Sequence, residues 1–106
     1  MPTTPDDRFA AIAETHVGTT GVTTGTGFGG SPGLRIGGKI FAMLVKDELV
    51  VKLPRERVDE LSASGVGRPF EPGTGRVMKE WLSVPTRAGR RWKALVEEAK
   101  GFVGPS

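Results

Sequence analysis

Cysteine is absent from this sequence. That absence excludes disulfides, thiolate nucleophiles, and the zinc-finger and iron–sulfur sites built on thiolates. Histidine occurs once, as His16, so a site with several histidine ligands cannot form within one chain. No apolar run is long enough to cross a bilayer, and no basic N-terminal stretch leads into an apolar signal segment. The expectation is a cytoplasmic protein with no signal peptide, no metal, no cofactor and no membrane partner.

What is present fits one modest domain spanning residues 1–106. Apolar residues make up 37% and charged residues 25%, an ordinary balance for a chain that buries a single core. Glycine (16) and proline (8) are plentiful, which predicts many turns. The formal charge is +3 but uneven: residues 1–34 sum to −2 and residues 35–106 to +5. A basic half is an electrostatic pointer to nucleic acid or an acidic partner, although an ordinary solvated surface gives the same count.

Thr4-Pro5-Asp6-Asp7 reads as a helix start, with a capping hydroxyl, a proline at the first position and two carboxylates at the positive end of the dipole. Phe9, Ile12, Ala13 and Val17 follow at helical spacing, and Gly18 stops the pattern. Residues 18–33 are nearly all Gly, Thr and Ser and predict a loop with at most a short strand near 22–28. Leu34-Arg35-Ile36 is a strand, and Gly37-Gly38 is a tight hairpin turn. Residues 39–46 are apolar on both faces, Phe41, Met43 and Val45 on one and Ile40, Ala42 and Leu44 on the other, as in a central strand. Asp47-Glu48 turns the chain into a strand over 49–53, with Leu49, Val51 and Leu53 sharing a face. A second helix is expected over 55–64, with Val58 and Leu61 inward and Gly65 at its end. Residues 68–75 predict a loop with a brief strand near Phe70. A strand over 76–84 places Met78, Leu82 and Val84 on one face and Val77 and Trp81 on the other. A third helix, 87–103, carries the best apolar stripe of the chain: Trp92, Leu95, Val96, Ala99, Phe102 and Val103. Residues 1–4 and 104–106 are short tails. Tight hairpins force antiparallel pairing, and amphipathic helices must cover a sheet face. The expected fold is α+β and two-layered: an antiparallel sheet of four to five strands with three helices, in the order α-β(3)-α-β(2)-α.

Gly25-Thr26-Gly27-Phe28-Gly29-Gly30 matches the pattern G-x-G-x-x-G. A phosphate-binding turn needs a helix N-terminus after the glycines. Here Ser31-Pro32-Gly33 and a hairpin follow instead, so the run reads as a loop. His16 falls at the end of the first helix, where a capping or surface role suffices. No acidic pair is placed for catalysis; Asp59, Glu60, Glu97 and Glu98 read as helix surface with local ion pairing. Trp92 begins a core stripe, whereas Trp81 shares its strand face with Lys79 and is a candidate stacking platform. Arg87, Arg90 and Arg91 fall on one helical face at i, i+3 and i+4, with no acid at the spacing that would pair them. Around free backbone N–H groups, three such arginines suit phosphate or an acidic partner. The alternative is a solvated helix end paired from afar, by Glu71 or Glu80.

The run from Phe28 to Ala42 (Phe28-Gly29-Gly30-Ser31-Pro32-Gly33-Leu34-Arg35-Ile36-Gly37-Gly38-Lys39-Ile40-Phe41-Ala42), followed by Leu49-Val50-Val51-Lys52-Leu53, Met78-Lys79-Glu80-Trp81 and Pro85, resembles the TfoX N-terminal-domain family and the related MmcQ/YjbR-like proteins. The resemblance covers about residues 5–103, and the Gly-Gly-Lys-Ile-Phe-Ala hairpin is its most specific part. The chain departs from the pattern at Gly25-Thr26-Gly27, where many relatives carry a charged residue. The resemblance implies the same α–β(3)–α–β(2)–α arrangement. It implies no catalytic residue set, and YjbR-like members have been proposed to bind DNA.

The expected function is therefore a non-enzymatic regulatory or binding module. Its candidate nucleic-acid contacts are Arg76, Lys79, Arg87, Arg90, Arg91 and Lys93, which face a single acid, Glu80, between positions 76 and 93. An alternative is a protein-interaction adaptor or chaperone-like homodimer. A third, weaker reading makes the glycine-rich loop a lid over a nucleotide or other small molecule.

Overall fold

A computed structural model of the chain describes residues 4–17, 21–26, 32–71, 75 and 77–104. The first helix, α1 (Pro5–His16), begins as its sequence dictates: the Thr4 hydroxyl accepts the Asp7 N–H at 3.0 Å, Pro5 fills the first turn, and Asp6 and Asp7 face the positive dipole end. Four strands follow, β1 (Val22–Thr26), β2 (Pro32–Ile36), β3 (Lys39–Val45) and β4 (Glu48–Lys52). Then come α2 (Arg55–Ala63), β5 (Arg68–Phe70), β6 (Met78–Val84), a 3₁₀ turn (Thr86–Arg91) and α3 (Trp92–Val103). The six strands form one antiparallel sheet in the order β1-β2-β3-β4-β6-β5. The fold is thus α+β, with one strand more than the upper expectation. The extra strand is β1, which pairs Val22–Thr26 with β2 inside the segment whose composition reads as loop.

The two tight hairpin turns among the described residues use left-handed backbone. Gly37 and Gly38 take φ of 59° and 81°, as expected for a two-residue turn that follows the sheet's twist. The next turn is Lys46-Asp47, with φ of 49° and 66°, one residue earlier than the sequence predicts. Asp tolerates this region better than most residues, and Lys has no such excuse.

Strand β3 corrects the simple alternation. Leu34 pairs with Ala42 and Arg35 with Ile40, so Phe41 is an extra residue in a β-bulge. The bulge puts Phe41, Ala42 and Leu44 on one face and Ile40, Met43 and Val45 on the other. A second irregularity, where Phe70 pairs with Met78 after Pro69 pairs with Leu82, moves Met78 to the Trp81 face rather than the Leu82 face.

All three helices pack into one core. Phe9 and Ile12 of α1, Val58 and Leu61 of α2, and Trp92, Leu95, Val96 and Ala99 of α3 meet Leu34, Phe41, Leu49, Val51, Leu82 and Val84 of the sheet. Phe102, read as part of the α3 stripe, is instead exposed at 42%, whereas Val103 beside it packs against the core. Arg57 ties α2 to α3 through Glu98 at 2.7 Å, and pairs also with Glu60. The opposite face holds a smaller cluster of Met43, Val50, Phe70 and Trp81, to which no described helix contributes.

Candidate functional site

The six bases picked out from the sequence do not form one patch. Arg76 lies outside the described residues. Lys79 stands near the start of β6, whereas the 3₁₀ turn follows the end of that strand, roughly 15–20 Å away at the rise of extended chain. The structure brings together Arg87, Arg90 and Arg91 on the turn and Lys93 in the first turn of α3, all four exposed.

The local geometry differs from the expected helix over 87–103. Pro85 precedes a 3₁₀ segment, and Ala88 leaves helical angles (φ −102°, ψ 24°). The kink at Ala88 falls between Arg87 and Arg90, so the i, i+3, i+4 spacing does not set one helical face. The arginines therefore sit along a short kinked ridge rather than on one α-helical face. The turn is held rigidly to the core: the buried Trp92 indole N–H donates to Pro85 O at 3.3 Å, and the Trp92 backbone N–H is taken by Gly89 O. This N–H is therefore not free for a ligand, as an isolated helix start would have left it.

Gly89 marks the one close approach in the turn. Its carbonyl accepts a bond from the Arg8 guanidinium of α1 at 3.3 Å, and a Cβ at residue 89 would stand 2.8 Å from Arg8 Nε. Arg8 thus becomes a fifth base at this end of the molecule. Sequence reasoning missed it because the contact spans the whole chain; a glycine inside a basic turn was the one local sign of a close approach. Lys46, in the β3–β4 turn, lies at the same end of the sheet, since Leu49 pairs with Val84 just before the 3₁₀ turn.

Among the described residues, Arg87, Arg90, Arg91 and Lys93 make no salt bridge. The acids read as their distant partners lie elsewhere. Glu71 accepts the Gly75 N–H at 2.9 Å, and Glu80 lies beside Lys79 at the far end of β6. Glu48, nearer the turn, accepts from Ser83 Oγ at 2.6 Å and from Arg68 at 2.9 Å.

Three other candidates change meaning. Trp81 is buried at 8% exposure with Lys52 Nζ 5.6 Å from its ring centre, so its face is already occupied and offers no base-stacking platform. His16 is not a surface cap: it is buried edge-on against Phe41, ring centres 6.5 Å apart. Burial pushes its pKa below the usual imidazole value, Lys100 and Lys93 of α3 act in the same direction, and Glu97 opposes them. Of the G-x-G-x-x-G run, Gly25 and Thr26 belong to β1 and the remainder lies outside the described residues. Among the described residues no cluster of His, Asp and Glu is placed to hold a metal ion, and no helix is long and apolar enough to cross a membrane. No family model matches the sequence, and no curated protein matches it.

Proposed function

We propose that this protein is a non-enzymatic cytoplasmic binding module that engages the phosphate backbone of nucleic acid through its basic turn. The observation that carries the reading is the exposed set Arg87, Arg90, Arg91 and Lys93, without acid partners among the described residues, on a turn fixed to the core by Trp92 and Arg8. Arginines on a rigid support lose little entropy on meeting phosphate, and their planar forks favour it geometrically. With phosphate contacts alone, binding positions the module without reading sequence. The resemblance to TfoX N-terminal-domain and YjbR-like proteins agrees with this reading and adds no residue to it.

The test is binding of a fluorescent random duplex at low salt by the wild type, Arg87→Ala/Arg90→Ala and Lys79→Ala. Loss in the double variant with near wild-type affinity in Lys79→Ala supports the turn as the site. Equal losses in both would assign binding to overall charge, and no binding by the wild type would end the proposal.

A second reading, a homodimer or protein adaptor, rests on the sheet face without helices, where Ile40, Val45 and Met78 are half-buried around Met43, Val50 and Trp81. Its sign is a sedimentation mass that rises with concentration.

A further inference from the structure

Under α1 the described residues leave the interface with the sheet unfilled. Asp6, Phe9, Ala10 and Ala13, spaced i, i+3, i+4 and i+7, lie along one line of the helix and form the wall of a half-open cleft of about 370 Å³. The opposite wall is Thr24 and Gly25 of β1, Pro32 and Gly33 of β2, and Leu44 of β3. Elsewhere the helices meet the sheet through Trp92, Leu95 and Leu61, which close the space. Here α1 offers only Ala10 and Ala13, and Gly25 and Gly33, which pair across the ladder and whose Cβ directions point to the other sheet face with Arg35 and Met43, present backbone to the helix.

The lining decides what fits. The floor is the largely flat backbone of β1 and β2, whose groups between the two strands are paired in the ladder, while Thr24 adds a hydroxyl on β1, the edge of the sheet. Phe9, Pro32 and Leu44 supply apolar sides. The one carboxylate among the described lining residues is Asp6, exposed at the rim. A dry apolar cavity of ~150 Å³ takes a single benzene ring, and ligand pockets begin near 300 Å³. We propose that this cleft binds a small molecule with a planar apolar ring and an ammonium or N–H donor, the ring against the Gly25–Gly33 floor and the donor at Asp6. The site shares α1 with Arg8, which bonds Gly89 of the arginine turn, but none of the turn's residues lines it and it does not depend on the nucleic-acid reading.

The experiment uses three probes with one ring and different charge: tryptamine, indole and indole-3-acetate. Each is titrated into the ¹⁵N-labelled full chain and followed by amide shifts. The expected result is saturating shifts confined to α1, β1 and β2, with affinity in the order tryptamine, indole, indole-3-acetate. Asp6→Asn should weaken tryptamine by about two- to fivefold, the value of an exposed charge pair, and leave indole unchanged. Ala13→Phe fills the cleft and should weaken all three probes; Ala10→Leu, at the exposed rim, is the milder block should the first variant not fold. Shifts that do not saturate or that scatter over the surface would overturn the proposal. So would a tryptamine affinity indifferent to Asp6→Asn, or probes indifferent to the filling variants.

Discussion

The same substitution, glycine to alanine, should have opposite signs at two positions in this fold. At Gly67 a Cβ would stand 2.5 Å from Ser83 O and 3.1–3.2 Å from the Leu82 side chain. Ser83 cannot retreat: its backbone pairs with both Val50 and Arg68, and its hydroxyl donates to Glu48 at 2.6 Å. The contact needs a shift of roughly half an ångström or more in a strand locked on both sides, and overpacking of this kind costs about 1–3 kcal/mol. The reduced freedom of the unfolded chain returns about 0.4–1 kcal/mol. The net expectation for Gly67→Ala is a loss of about 1–2 kcal/mol, lowering Tm by roughly 4–8 °C for a domain of this size. At Gly101 a Cβ meets nothing within 4 Å, the residue is exposed, and it lies inside α3. Gly101→Ala should therefore stabilise by about 0.5 kcal/mol through helix propensity, reduced from the full value because the helix end frays. Urea denaturation followed by tryptophan fluorescence reads both. A neutral or stabilising Gly67→Ala would refute the close packing of β5 on β6, and a destabilising Gly101→Ala would refute the open helical site.

Further outcomes follow from the turn, the buried imidazole and the inter-helix pair. Asp47→Gly relieves a left-handed residue in the β3–β4 turn and should raise stability by about 0.5–1 kcal/mol; an unchanged urea midpoint would count against the turn geometry. Because His16 has a lowered pKa in the fold, the unfolded chain binds its proton first as pH drops. Stability is then full above the unfolded value near 6.5 and declines as pH falls through that value toward the folded pKa. His16→Gln should flatten that part of the curve, and a profile identical to the wild type would mean the imidazole is not shielded. Glu98→Ala, which removes the exposed Arg57 pair, should cost no more than about 1 kcal/mol by the same denaturation.

Much of the architecture was legible because local chemistry and global fold agree. The Thr4-Pro5-Asp6-Asp7 start, the Gly37-Gly38 turn and the Trp92–Ala99 stripe each dictate one local shape, and the fold adopts it. The failures come where tertiary geometry overrules period. One inserted residue at Phe41 carries Phe41 to the helix side, because alternation holds only while pairing stays in register. His16 reads as surface when α1 is taken alone and is buried because α3 and β3 close over the end of that helix. The candidate site was half legible. Arg87, Arg90, Arg91 and Lys93 do gather, but around a kinked 3₁₀ turn, since the chain leaves helical angles at Ala88 and breaks the α-helical period that sequence spacing assumes. Lys79 is excluded by strand length, and Arg8 enters through a contact between opposite ends of the chain.

The most direct test of the nucleic-acid reading is the salt dependence of duplex binding, measured by fluorescence anisotropy on the wild type and on Arg87→Ala/Arg90→Ala/Arg91→Ala. Four phosphate contacts from the turn and Lys93 imply a slope of log K against log salt near −3.6, a loss of about 100-fold from about 50 to about 200 mM salt. The triple variant should fall to a slope near −1 and lose only about three- to fourfold over the same range. No binding by the wild type at low salt, or a slope that the three substitutions leave unchanged, would contradict the account.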